Sequence, residues 1–282
     1  MISIIICSRT ADISQELKDN IASTIGCEYE LCVIDNSHND YSIFSAYNEG
    51  VRRAKGEILC FLHDDVSFHT NEWGMVLSNI LDNPKVGVVG VAGGHFLPSV
   101  PMYWPATPYV SEYVINNDHG KCSNPYRCEY HDSNGISEVV ICDGLYLAFK
   151  SSIFEQVHFD EEYYDGFHMY DMDICMQIQQ IGLQCVVTNK ILLEHAWSEE
   201  DMKQKKGMDK FDHNLHLFVA KWQEMLPIWR GGPDLPEYTR QRIANLCFQA
   251  YDARLARQSY AYRLGRALLT PFNFIKKIFK AI

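Results

Sequence analysis

Four places in this 282-residue sequence put acidic or imidazole side chains where they can do chemistry. His63-Asp64-Asp65 follows the apolar run Ile58 to Leu62, so adjacent carboxylates stand at the end of a buried strand. Two acids held that close repel unless a cation or hydrogen bonds compensate. Hard divalent ions such as Mg2+ or Mn2+ take oxygen ligands of this kind and bridge to phosphates. Taken alone, the same pair also reads as a polar turn after a strand. Val33-Ile34-Asp35 is a second apolar strand ending in an acid, which can accept hydrogen bonds from a base or ribose, or cap a helix. Asp171 and Asp173 open a helical pattern two residues apart, so they face different ways and only one points into a site. The helix dipole stabilises a carboxylate there as an anion. Leu192-Leu193-Glu194-His195 is a strand ending in imidazole, a common metal-ligand type.

For these groups to meet, the chain must fold as a sheet wrapped by crossover helices. Apolar runs at Ile2 to Cys7, Glu30 to Ile34, Ile58 to Leu62 and Val86 to Val91 read as strands. Between the second and third, Phe44, Tyr47, Val51 and Ala54 recur at helical spacing within Tyr41 to Lys55, and Gly56 supplies the stop. The opening therefore reads βαβαβαβ, an α/β fold whose strand ends at the carboxyl edge form a ligand crevice. Gly93 to Ser137, rich in Pro, Asn, Gly and Tyr and without either period, reads as a long surface excursion that holds substrate. A strand follows at Glu138 to Cys142, a helix near Ser151 to Val157, and a helix from Asp171 to about Ile181 with Ile174, Ile178 and Ile181 as its buried stripe. Strands at Cys185 to Val187 and Ile191 to Leu193 are expected to finish the sheet. Beyond Ser198 the pattern is helical, with a polar break at Arg230 to Pro236.

A composition of 47% hydrophobic and 22% charged residues suits a packed core and excludes disorder as the main state. The net charge of −11 argues against nucleic acid as a partner. Ten cysteines without a Cys-x-x-Cys pair read as core thiols of a reduced, cytoplasmic compartment. Met1 to Ile6 reads as a strand, not a signal peptide. No apolar run approaches the roughly 20 residues that a membrane span takes, so the expectation is a soluble or peripheral protein. Yet from Ala253 to Ile282 every charged side chain is basic: Arg254, Arg257, Arg263, Arg266, Lys276, Lys277 and Lys280, interleaved with Leu, Phe and Ile. Such a tail on an acidic body suggests an anionic membrane surface as partner.

The order of Ile4 to Arg9, Val33 to Ser37, Asn48-Glu49-Gly50 and Gly56 to Val66 resembles the nucleotide-binding half of inverting family-two glycosyltransferases with the GT-A fold, a Rossmann-like, mostly parallel sheet flanked by helices. The resemblance implies that Ser8 and Asp35 hold the nucleoside of a nucleotide-diphosphate sugar. The family's Asp-x-Asp falls on His63-Asp64-Asp65, which makes Asp65 a metal ligand and Asp64 a ribose or indirect contact. His63 stands in the first Asp's place, and its part in metal binding is left open. Cys142-Asp143-Gly144, followed by Phe159-Asp160-Glu161, resembles the stretch ahead of the acceptor site, so Asp143 and Gly144 take the donor phosphate and sugar pocket. Phe167 to Cys175 resembles the family's Glu-Asp-x-Asp helix start, with Asp171 as catalytic base and Tyr170 where Glu is usual. His195 falls where the family has a His on metal or diphosphate, beside Asp65. His168 and Trp197 are candidate contacts to the acceptor.

These implications together give a cytosol-facing transferase, dependent on Mn2+ or Mg2+, that inverts configuration as it moves a sugar to a saccharide or glycolipid acceptor in surface polysaccharide synthesis. The resemblance covers about Met1 to Trp197, which divides the chain into a catalytic domain, 1–197, and a helical extension, 198–282. The Gln-x-x-Arg-Trp motif of processive members is absent, Lys221-Trp222-Gln223 not supplying it, so one sugar is expected per encounter. Two rivals share the fold. A nucleotidyltransferase would carry a glycine-rich loop after the first strand, where Cys7-Ser8-Arg9-Thr10 has no glycine. A noncatalytic nucleotide-sugar or carbohydrate-binding protein would need no base.

Overall fold

The computed structural model describes residues 1–107, 109–123, 130–196 and 208–258. The chain opens with β1 (Ile2–Ser8), α1 (Gln15–Thr24), β2 (Tyr29–Asp35), α2 (Ile43–Arg53), β3 (Ile58–Leu62), β4 (Val66–Phe68), α3 (Trp73–Leu81) and β5 (Val86–Gly90). A run of short strands follows: β6 (Ala92–Gly94), β7 (Phe96–Leu97), β8 (Val110–Glu112), β9 (Val114–Asp118), β10 (Lys121–Cys122), β11 (Ile136–Val139) and β12 (Ile141–Cys142). Then come β13 (Tyr146–Lys150), α4 (Tyr170–Gln180), β14 (Gln184–Thr188), β15 (Leu193–His195), α5 (Met208–Trp222), β16 (Ile228–Trp229) and α6 (Glu237–Gln258).

Local chemistry accounts for the opening elements. Ser14 and Ser42 cap α1 and α2, their side chains accepting from the N–H groups of Leu17 and Ser45, each cap contributing about 1 kcal/mol. Helix α2 buries Phe44, Tyr47 and Gly50. It can close on β1 because residue 50 has no side chain: a Cβ there would lie 2.2 Å from Ile5 Cγ2.

The central sheet has seven strands in the order β11-β14-β5-β13-β3-β1-β2. β1, β2, β3, β5 and β14 point one way, and β13 and β11 run against them. The carboxyl ends of β1, β2 and β3 therefore share one edge. Because β13 is antiparallel, with Tyr146 opposite Leu62, its entry residues Asp143 and Gly144 arrive at that same edge. A smaller sheet, β10-β9-β15-β4, stands beyond it and pairs His195 with Val66.

Several sequence expectations are corrected here. Tyr146–Lys150, to which the sequence pattern assigns no element, is a central strand buried from Tyr146 to Phe149. The stretch expected to be a surface excursion begins inside the protein: Val91 to Pro98 is buried, β6 pairs with β8 and β12, and β7 pairs with β16. Strands of two or three residues are too short to show a period, so composition alone misleads. The strand expected at Ile191 to Leu193 lies at Leu193–His195 and belongs to the smaller sheet. The helix expected at Ser151 to Val157 is a 3-10 turn over Ser151–Glu155. Beyond Ser198 the described residues form α5 and α6, joined by a non-helical stretch, 223–236, that carries β16 and includes the break expected at Arg230 to Pro236.

Candidate active site

At the end of β3, the backbone N–H of His63 donates to Leu145 O at 3.2 Å, and Ala196 N–H donates to Asp65 O at 2.9 Å. These two bonds draw the entry to β13 and the end of β15 around one corner. His63, Asp65 and His195 there offer ligand atoms that all lie within 4.8 Å of one another. His195 Nε2 is 3.4 Å and His63 Nδ1 3.8 Å from the same oxygen, Asp65 Oδ1. That oxygen is buried, yet neither contact has hydrogen-bond geometry and it has no hydrogen-bond partner. A buried carboxylate oxygen without a partner is costly, and two imidazole nitrogens converge on it. The donor set fits a divalent cation, since imidazole and carboxylate are both ligands of such ions.

The electrostatics agree. Burial pushes Asp65 up, but His195, His63 and the Arg9 guanidinium more than offset it and hold the carboxyl at about 2. It is an anion across the neutral range. Although 35% of the His63 side chain faces the cleft, burial lowers its pKa against the pull of Asp65, which favours the neutral, ligating ring. Asp64 turns the other way. Its carboxylate accepts from Arg9 Nη2 at 2.9 Å and from Arg9 N–H at 3.3 Å, tying it to the end of β1.

The second corner is the start of α4. Asp171 is 5% exposed, and its carboxylate accepts from Met172 N–H at 2.8 Å and Gly144 N–H at 3.2 Å. Burial, then the nearby Asp143 carboxylate, raise it to about 8 against the lowering effect of the two backbone donors, so the anion stabilisation expected of a helix start is outweighed here. Tyr170 joins the two corners: its hydroxyl lies 2.9 Å from His63 Nε2. Asp173 faces away from Asp171, as the spacing requires, into a buried cluster. It accepts from Tyr164 Oη at 3.0 Å, Trp222 Nε1 at 2.8 Å and Gln177 Nε2 at 2.8 Å, and pairs with Lys221 Nζ at 2.9 Å.

The remaining sequence candidates lie further out. Ser8, fully buried, is in register with Asp35, and its Oγ accepts from Thr10 N–H at 3.2 Å. Asp35 is exposed at the strand end, with its carboxylate accepting from Ser37 N–H at 2.9 Å. His168 stands just ahead of α4, edge-on to Phe211 with ring centroids 5.0 Å apart. Trp197 lies outside the described residues. A hollow of about 550 Å3 lined by Asn83, Asp132 and Glu138 is elsewhere, at the β11 and β14 side of the sheet. There Asp132 Oδ1 accepts from the backbone N–H groups of Asn134 and Ile136, and among the described residues the side chains close enough together to hold a metal ion are His63, Asp65 and His195, away from this hollow.

A family model described as "Glycosyltransferase like family" matches residues 3–222. The chain belongs to that family. As a glycosyltransferase-like protein it has the architecture expected of a GT-A fold, a large mixed α/β sheet flanked by helices with a helix at the C-terminal side. No curated protein matches the sequence. Among solved structures, GalNAc-T7 with UDP, GalNAc and Mn2+ is similar at TM-score 0.47 and 12% identity, over 70% of this chain and 44% of that one. Residues 1–349 of S. aureus TarS in complex with UDP-GlcNAc give TM-score 0.49 and 12% identity, over 86% of this chain and 70% of that one. The mannosyltransferase PcManGT from Pyrobaculum calidifontis, with GDP-Man and Mn2+, gives 0.47 and 14%, over 95% and 84%. These are distant likenesses, and this glycosyltransferase-like chain spans less than half the length of the first.

Three residues without a role in the sequence reading also stand in the site. Arg9 bridges toward Asp64 and Asp65. Tyr170 bonds His63. Tyr103, half-buried within the stretch expected to hold substrate, has its phenol pushed well above the usual value by burial and then by the carboxylates of Asp143 and Asp171.

Proposed function

We propose that the protein transfers one sugar per encounter from a nucleotide-diphosphate donor to an acceptor hydroxyl, with inversion at the anomeric carbon. The observation that carries this reading is Asp171: a buried carboxylate at a helix start, raised to about 8, beside a His-Asp-His corner in a chain of a glycosyltransferase-like family. A carboxylate tuned toward neutral pH is suited to general-base work. In this reading Asp171 takes the acceptor's proton as the hydroxyl attacks. Attack from the face opposite the diphosphate inverts configuration.

His63, Asp65 and His195 would hold Mn2+ or Mg2+, and the cation supplies positive charge for the departing diphosphate. Two imidazoles and one carboxylate suit Mn2+ better than Mg2+, which prefers an all-oxygen shell. Asp143 and Gly144 line the donor sugar and phosphate, while Ser8, Asp35 and Asp64 form the nucleoside side. Ser8 would act there through its backbone, because its hydroxyl is already engaged with Thr10. The acceptor, a saccharide or lipid-linked glycan at the cytoplasmic face of a membrane, would approach past Tyr103 and His168. The reading keeps 1–197 as the catalytic unit, with 198–282 as its extension.

Asp171→Asn tests the assignment. Transfer should fall at least ~100-fold, the usual worth of a positioned base, while nucleotide binding by titration calorimetry stays near wild type. Near-normal turnover in that variant removes the base.

A further inference from the structure

The two ring nitrogens of His63 face different partners. Nδ1 faces Asp65 Oδ1 at 3.8 Å, and Nε2 lies 2.9 Å from Tyr170 Oη. A neutral imidazole has one N–H and one lone pair, so fixing one nitrogen fixes the other. If Nδ1 carried the hydrogen, the acceptor it faces, Asp65 Oδ1, would lie at 3.8 Å, a distance too long for a hydrogen bond. If Nε2 carries it, the hydrogen is used in full at 2.9 Å on the phenol oxygen. Nδ1 then turns its lone pair toward the corner it shares with Asp65 and His195.

The phenol is held where this requires. The Tyr170 ring lies edge-on to Phe44 and Tyr47, with centroids 6.3 Å and 5.5 Å away, and tilted on Phe159 at 6.4 Å. Its hydroxyl passes over Gly144, where a Cβ would come within 2.0 Å of Oη. The missing side chain at 144 thus serves the reach of Tyr170 to His63.

We propose that Tyr170 is the positioning residue of His63: its hydroxyl accepts the Nε2 hydrogen and so sets the tautomer in which Nδ1 can ligate a divalent cation together with Asp65 and His195. The inference rests on the reading of those three side chains as cation ligands. A hydrogen-bonded partner on the far nitrogen of a ligating His is worth about 10–100-fold in metal affinity.

Tyr170→Phe keeps the packed ring and removes only the hydroxyl. With the full chain and Mn2+ alone as probe, this variant should bind ~10–100-fold more weakly, and its Co2+ complex should show the change in visible absorption that His63→Ala shows. In a His63→Asp background the ligand has no tautomer to set, so adding Tyr170→Phe should change Mn2+ affinity less than about twofold on the same reasoning. Long-range 1H–15N spectra of the metal-free wild type should report hydrogen on His63 Nε2. Hydrogen on Nδ1, wild-type Mn2+ affinity in Tyr170→Phe, or an equal loss in the His63→Asp background would overturn the proposal. Asp65→Ala separates the two layers: intact Mn2+ binding there overturns the ligand assignment itself, whereas its loss with an inert Tyr170→Phe overturns only the role of Tyr170.

Discussion

Asp171 is buried and feels the nearby carboxylate of Asp143, so it keeps its proton to a higher pH than an ordinary aspartate. A base must be unprotonated to act, and a group raised to about 8 is mostly protonated at pH 6. The metal-free carboxyl should titrate near that value by 13C NMR, and kcat/KM should rise with pH along its acidic limb. Asp143→Asn removes the second-largest cause of the shift while leaving burial in place, so the titration should move to lower pH without returning to the value of a free aspartate. A titration that stays put in Asp143→Asn would show that burial alone sets it. Asp65 and His195 were legible as candidates because an acid or imidazole closing an apolar run is a local signal, and Asp171 because it opens a helical pattern that resembles the family's helix start. Tyr170 and Arg9 were not, because their meaning lies in partners 107 and 55 residues away. Positions 63 and 170, where this chain departs from the pattern it resembles, turn out to touch each other.

Helix α4 delivers Asp171, and its placement depends on an element far along the chain. Asp173, buried to 1% in its side chain, is the anchor that binds α4 to Lys221 and Trp222 at the end of α5. Lys221 also pairs with Asp160 at 2.7 Å, so the ammonium bridges α4 and the segment before it. Removing one partner of a buried charged cluster leaves the other uncompensated, which costs about 3 kcal/mol or more. For a domain of this size that is a fall of ~6–12 °C in Tm. Asp173→Ala should show that fall in a calorimetric scan, and Asp173→Asn, which keeps the acceptor for Trp222, a smaller one. An unchanged Tm in both would mean that the cluster does not hold the helix. Strands β1, β2 and β3 were readable because each carries an apolar run of four or five residues, Ile4 to Cys7, Leu31 to Ile34 and Ile58 to Leu62, bounded by polar residues. β13 was not: its run follows an Asp-Gly turn and enters the sheet against the parallel strands, a tertiary choice that no local period encodes. The two-residue strands β7 and β16 exist only through each other.

On the scale of the whole molecule, charge is unevenly placed: the chain carries −11 overall, while every charged residue after Asp252 is basic. Residues 259–282, which hold Arg263, Arg266, Lys276, Lys277 and Lys280, lie outside the described residues. The helix leading to them, α6, exposes Tyr238, Leu246, Phe248 and Leu255, and no helix of the described residues is long and apolar enough to cross a membrane. Basic side chains near an anionic bilayer are worth about 1 kcal/mol each, so five of them give ~5 kcal/mol, enough to recruit an otherwise acidic protein. The apolar residues between them add a contribution that salt does not screen. The full chain should therefore float with vesicles containing phosphatidylserine, and a chain ending at Arg254 should remain in the soluble fraction. Raised salt should weaken flotation of the full chain without abolishing it. Equal flotation of both chains would remove the tail from the account, and flotation with uncharged vesicles alone would assign it to apolar insertion instead of charge.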